Sequence, residues 1–198
     1  MEQLALTNTA YFILLLAVVN PLNTAKQFAS LQVDGIHTSK SVITRASVYS
    51  TTLMITTSII APLFIYQPFV KLPIMYLLTG LLLAVLSWQM LVGQQQSPKY
   101  TTAFPALIPI TLPCIISPAL ISMLLISRDT HFVMSTLSQH ILMDLSIGCI
   151  IALSLSCAHY YQENIHANLL DCQNTFLGAI SSYAAINCLT IGVSGLHT

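Results

Sequence analysis

Two residue pairs in this sequence, Asn20-Pro21 and Ser117-Pro118, break otherwise apolar runs and set polar groups beside the breaks. Asn23 and Thr24 follow the first, and Ala119 follows the second. Proline has no N–H to donate, and its ring clashes with the carbonyl four residues back, so a helix through it kinks or breaks. Around Ser117 the effect is compounded, because Pro105, Pro109, Pro113 and Pro118 share one apolar stretch. Unpaired backbone in hydrocarbon costs several kcal/mol per group, so such breaks persist only against protein or around a watery cavity. A helix broken near mid-membrane presents N–H groups where one half starts and carbonyls where the other ends. A zwitterion, with carboxylate and ammonium on one carbon, matches those poles without any protein charge. Asn20, Asn23, Thr24 and Ser117 add neutral donors and acceptors. Gln89 and Asn187 can line the same cavity, or can serve as interhelical hydrogen bonds worth about 0.6–2 kcal/mol.

A second constellation is His140 and Asp144, four residues apart and so on one helical face. A carboxylate inside a span costs about 2.5–3.5 kcal/mol on insertion scales, which marks Asp144 as a functional candidate. A titratable pair there can take up and release a proton as a site alternates, coupling transport to a proton gradient. A structural His–Asp hydrogen bond is the other reading. No nucleophile with a matching base stands out, so no catalytic residue is assigned. The five cysteines (Cys114, Cys149, Cys157, Cys172, Cys188) form no C-x-x-C pair and read as small core residues, which leaves no metal site and calls for no cofactor.

The elements that must position these residues are membrane helices. Of 198 residues only 6% are charged and 55% are hydrophobic, and the mean hydropathy is +0.78. Soluble domains carry about a quarter charged residues. Several stretches of about 20 apolar residues predict a helical integral membrane protein. Formal net charge is zero, which excludes a nucleic-acid surface and a polybasic lipid-binding tail. The N-terminus has no basic region of the kind a secretory signal carries, so the first apolar segment is read as part of the mature protein.

The pattern predicts six spans in a single domain, residues 1–198. The first runs from about Thr9 to Leu31 across the Asn20-Pro21 break. The second runs from about Val42 to Tyr66, with Ser47, Thr51, Met54 and Ser58 on one stripe and Pro62 and Pro68 closing it. Such a stripe suits close helix packing or a wet wall. The third runs Pro73–Val92, the fourth is the proline-rich stretch, the fifth runs from about Phe132 to Tyr160 and the sixth from about Thr175 to Leu196. A polar segment, 162–174, precedes the sixth span. Lys26, Lys40, Arg45 and Lys99 fall on one side and Lys71 and Arg128 on the other, which predicts both termini outside.

The two halves share a register. Pro21 and Pro118 are 97 residues apart, Gly80 and Gly178 are 98 apart, and Gln89 and Asn187 are 98 apart. A repeat of three spans sets its second copy upside down. The expected architecture is therefore an all-α inverted 3+3 repeat with broken first and fourth helices. Repeat one covers about 9–93, a polar linker about 94–103, and repeat two about 104–198.

These residues also carry a resemblance. Pro109 to Ile121, PITLPCIISPALI, resembles the P-L-A-I-P-L-x-A-G-P-G-A-I signature of the MarC family of multi-pass membrane proteins. Val19-Asn20-Pro21-Leu22 is similar to its first-span N/D-P-[LI]-G, with Phe28 in the place of an aromatic. Arg45-Ala46 resembles the start of its second span, Thr79-Gly80-Leu-Leu-Leu its G-G-I-L-L, and Gly178 the glycine of its last-span M-G-L. Ser117-Pro118-Ala119 departs from G-P-G, and Asn23 and Lys26 replace a glycine and a proline. Glycines permit close backbone approach, so these changes bear on cavity size and specificity. The resemblance implies six spans in a bacterial inner membrane and transport of small neutral amino acids.

Together these readings predict a secondary transporter or exporter of a small neutral solute, working by alternating access in the bilayer. The alternatives are a non-transporting assembly protein and an intramembrane enzyme. A homo-oligomer is compatible with the sequence, which does not fix the state.

Overall fold

A computed structural model of the chain describes residues 8–33, 40–65, 67, 71–92, 115–127, 136–160 and 167–196. The described residues outside short connections are helical: α1 Asn8–Val19, α2 Pro21–Val33, α3 Lys40–Ile65, α4 Leu72–Val92, α5 Pro118–Ile126, α6 Leu137–Tyr160 and α7 Ala167–Leu196. Four of them, α3, α4, α6 and α7, are long and apolar enough to cross a membrane alone.

The first expected span is split at Asn20 into α1 and α2. At 12 and 13 residues, neither half is long enough to cross a membrane alone. α5 falls in the stretch expected as the fourth span. Pro105, Pro109 and Pro113, the linker at 94–103, Cys114, Lys99, Arg128 and Pro68 lie outside the described residues.

Two boundaries differ from expectation. Pro62 lies inside α3 rather than closing it. Its missing N–H leaves only the carbonyl four residues back without its helical donor, and α3 tolerates that so near its end. The expected start of the fifth span, at about Phe132, lies outside the described residues; α6 begins at Leu137, where Thr136 and Gln139 form a reciprocal capping box. The polar segment before the sixth span is partly helical, since α7 starts at Ala167 and takes in Asn174. Hydropathy marks where a helix enters lipid, not where it begins.

Burial follows from who packs on whom. Tyr11, Leu15, Phe28, Met54, Tyr76, Leu83, Ile115, Leu120, Met123 and Ile147 belong to one buried cluster drawn from every half of the bundle. The outward faces carry Leu63, Trp88, Leu142, Leu153, Phe176, Tyr183 and Ile186, each more than three-fifths exposed. Apolar surface on that scale fits a lipid surround and is foreign to a soluble monomer.

The largest interface is α4 against α7. Its facing residues are Pro73–Gly195, Leu77–Gly192, Gly80–Leu189 and Leu91–Gly178, so the two helices run antiparallel. Ser87 and Ser182 share a hydrogen bond midway along it. A Cβ on Gly80 would come within 2.9 Å of the Leu189 backbone nitrogen, so this contact requires glycine. Elsewhere α3 packs on α6, α2 on α6, and α5 on α3.

Candidate functional site

Asn20 is the hinge of the first span. It has φ 45°, the only left-handed non-glycine backbone among the described residues. Asparagine tolerates that region better than most side chains. It lets the chain leave α1 and restart as α2 without losing local bonding. The Asn20 N–H still donates to Leu16 O at 2.9 Å. Its Oδ1 accepts from the Asn23 N–H at 3.3 Å, an N-cap for α2. Thr24 Oγ1 donates to the Val19 and Asn20 carbonyls at 3.4 and 3.2 Å. Asn20, Pro21 and Thr24 are buried and Asn23 is half-buried.

The expected open poles are therefore partly closed by the chain's own side chains. Asn20 has one group left over, and it reaches across the bundle: its Nδ2 donates to Asn174 Oδ1, at the start of α7, at 2.9 Å. Nothing in the sequence singled out Asn174. The signal available was an amide in a segment whose helicity the hydropathy pattern did not reveal.

Ser117 plays the matching role for the second break. Its backbone is extended, with φ −78° and ψ 156°, and its Oγ accepts from the Leu120 N–H at 3.1 Å, capping α5. Pro118 occupies the first turn, where its missing donor costs nothing. Ala119 is buried, Ser117 half-buried and Pro118 exposed. An open apolar groove of about 450 Å³ runs beside it, lined by Met75 and Leu82 of α4 and by Ile116, Ile121 and Ser122, among others, on the α5 side.

The remaining candidates separate. Asn187 is half-buried on α7, whereas Gln89 is exposed on α4, so these two do not line one cavity as a pair. Asp144 and His140 are both buried. Asp144 Oδ2 accepts a 2.7 Å hydrogen bond from Ser58 Oγ of α3. His140 stands edge-on to the Tyr11 ring of α1, with centroids 5.3 Å apart. The two titratable groups thus tie α6 to two different helices. Ser58 belongs to the hydroxylic stripe of α3, but its partner was not legible from one strand of sequence.

The rest of that stripe packs. Thr51 Oγ1 donates back to Ser47 O at 2.8 Å and stands directly against Gly148 of α6. Among the described residues, no three His, Cys, Asp or Glu side chains gather as a metal site.

Taken together, the described candidates are neutral amide and hydroxyl groups at two helix breaks, and a buried carboxylate on α6 held by Ser58 of α3. No curated protein and no solved structure matches the chain. A family model does, over residues 7–194, and that span takes in both breaks, the α4–α7 contact and the Ser58–Asp144 pair. The chain belongs to the MarC family of integral membrane proteins.

Proposed function

We propose that this protein is a secondary transporter of a small neutral solute, with small amino acids as the substrate class. The observation that carries it is the pair of capped breaks. Asn20 and Ser117, 97 residues apart, each start a half-helix within the bundle and each hold an N-cap bond. A cap of this kind is exchangeable: a carboxylate can take the N–H that the side chain holds, without any protein cation. The antiparallel α4–α7 pair supports an inverted 3+3 arrangement, in which two such breaks approach one axis near mid-membrane. The amino-acid class rests on the family resemblance.

Asp144 is the candidate coupling group. A carboxylate buried among helices carries a proton or pays for desolvation, and Ser58 can donate to it when it is ionised and accept from it when it is not. The cell inner membrane, with both termini outside, completes the reading.

Reconstituted protein tests it. Saturable uptake of labelled alanine, glycine or serine, faster with an imposed proton gradient, supports a coupled carrier. Asp144→Asn keeps an acceptor for Ser58 and is expected to abolish the response to the gradient while gradient-free exchange persists. Absence of flux above empty vesicles for all three solutes would overturn the amino-acid assignment.

A further inference from the structure

α4 and α7 present matching outer faces whose contents differ. Gly80 meets Leu189, and Leu91 meets Gly178. Gly80 and Gly178 are 98 residues apart, and so are Leu91 and Leu189, so one shift carries each helix onto the other. On the side of α4 turned away from α7 that shift carries Leu78, Leu81, Val85 and Val92 onto Phe176, Ala179, Tyr183 and Thr190. All eight are exposed. The four on α4 are aliphatic, as a surface against acyl chains should be. Two of the four on α7 are polar, and Asn187, half-buried, lies one turn from Tyr183.

Depth sets these two groups apart. α7 is apolar enough to span over Cys172–Leu196, and Tyr183 falls near the middle of that stretch. At 1.5 Å per residue each end is about 16 to 20 Å away, beyond the reach of a tyrosine ring. Tyrosine ordinarily sits at the membrane interface, where its hydroxyl meets water. Here neither the Tyr183 hydroxyl nor the Asn187 amide makes a hydrogen bond to any described residue. Exposed hydroxyls elsewhere close on their own helix: Thr190 Oγ1 donates to Ile186 O, Ser146 Oγ to Leu142 O and Thr57 Oγ1 to Leu53 O, each at 2.8 Å. The Tyr183 hydroxyl stands at the far end of a ring and cannot turn back in this way. Lipid tails offer it no partner, and an unpaired polar group in hydrocarbon is costly. The polar pair on α4, Trp88 and Gln89, is placed differently. Both lie in the last two turns of α4, and the run Gln94-Gln95-Gln96 starts five residues beyond Gln89, so indole and amide reach the headgroup layer.

We infer that the outer face of α7 is a self-association surface, on which a second copy of this chain covers Tyr183 and Asn187 to form a homodimer in the membrane. A second copy is the occupant because the exposed groups are self-complementary. Across a two-fold axis normal to the membrane, Asn187 donates through Nδ2 to the second copy and accepts through Oδ1 from it, so both bonds are made at once. A hydroxyl also donates and accepts, and Tyr183 sits one turn along the same seam. Ala179 on this face is small enough to let two helices approach closely. Polar pairs and close packing are what membrane helices use where no hydrophobic drive exists. The inference goes beyond the transport reading and does not depend on the solute.

Cysteine linking tests it in full-length protein whose five native cysteines are replaced by serine or alanine. One new cysteine is then placed at either of two matched positions, Ala179→Cys on α7 or Leu81→Cys on α4. In vesicles at high lipid dilution, a mild oxidant is expected to link Ala179→Cys protein into dimers and to leave Leu81→Cys protein monomeric. Adding Tyr183→Phe and Asn187→Leu to the Ala179→Cys protein is expected to cut linking roughly tenfold, the effect of losing interhelical bonds of this kind. Asn187→Gln keeps a self-pairing amide and is expected to preserve linking. Because both removals take polar groups off an exposed surface, thermal unfolding in detergent is expected at or above the unsubstituted temperature, which separates lost association from lost fold. Tyr183→Phe alone repeats the test should Asn187→Leu not fold. No linking from Ala179→Cys, equal linking from both faces, or linking indifferent to removal of both polar groups would overturn the inference.

Discussion

The α4–α7 pair and the two broken spans are built on opposite rules. Along α4–α7 the contact is made by absence of side chain: Gly80, Gly178, Gly192 and Gly195 each admit a leucine or proline from the facing helix. Membrane helices have no hydrophobic drive to associate, so close approach of small residues supplies the packing. The broken spans are held by side chains that reach the backbone: Asn20 to Asn23, Thr24 to Val19, Ser117 to Leu120. An interdigitated glycine interface has one good arrangement, whereas a cap can be traded for another acceptor at small cost. On the transport reading proposed above, the first is a spine and the second a joint.

The sharpest way to break this comparison is to fill the spine. Gly80→Leu places a branched side chain where even a Cβ sits 2.8 Å from Leu189 Cγ and 3.0 Å from Ala185 O. Loss of monodisperse folded protein is expected on size-exclusion in detergent, and normal behaviour would deny the spine its role.

Asn20→Ala comes next. It removes the cap and asks alanine to hold φ 45°, an expected loss of about 2–3 kcal/mol from the left-handed backbone and the lost cap. Asn20→Gly keeps the backbone and is expected to recover most of that loss in thermal or denaturant unfolding. Ser117→Ala, with an ordinary extended backbone, is expected to cost only about 1 kcal/mol. If Asn20→Gly were as damaging as Asn20→Ala, backbone geometry would not be what Asn20 supplies. The smallest effect belongs to Ser87→Ala, which removes the Ser87–Ser182 bond in an interface that glycines already close. About 0.6 kcal/mol is expected, the average for such bonds in membranes.

The sequence made the breaks legible because proline and asparagine act locally. Pro21 and Pro118 each remove a backbone donor beside a residue that leaves helical geometry, Asn20 and Ser117, whereas Pro62 sits inside α3 near its end, and the apolar runs on either side report their own lipid exposure. The Gly80–Gly178 register was legible for a similar reason, since close helix contact needs a missing side chain. The partners were not. That Asn20 would reach Asn174, or Ser58 reach Asp144, depends on how α7 and α3 turn in the bundle, and residues 86 or 154 positions apart leave no local mark. Gln89 misled because its equal spacing with Asn187 records register, not direction, and α4 turns it outward.

The most direct test of the account is alanine flux in proteoliposomes for three variants at matched protein level: Asn20→Gly, Ser117→Ala and Ser87→Ala. The account predicts saturable wild-type flux, cut roughly tenfold or more by each joint variant and left near wild type by Ser87→Ala. Flux that survives both Asn20→Gly and Ser117→Ala, or wild-type vesicles that move no more than empty ones, would contradict it.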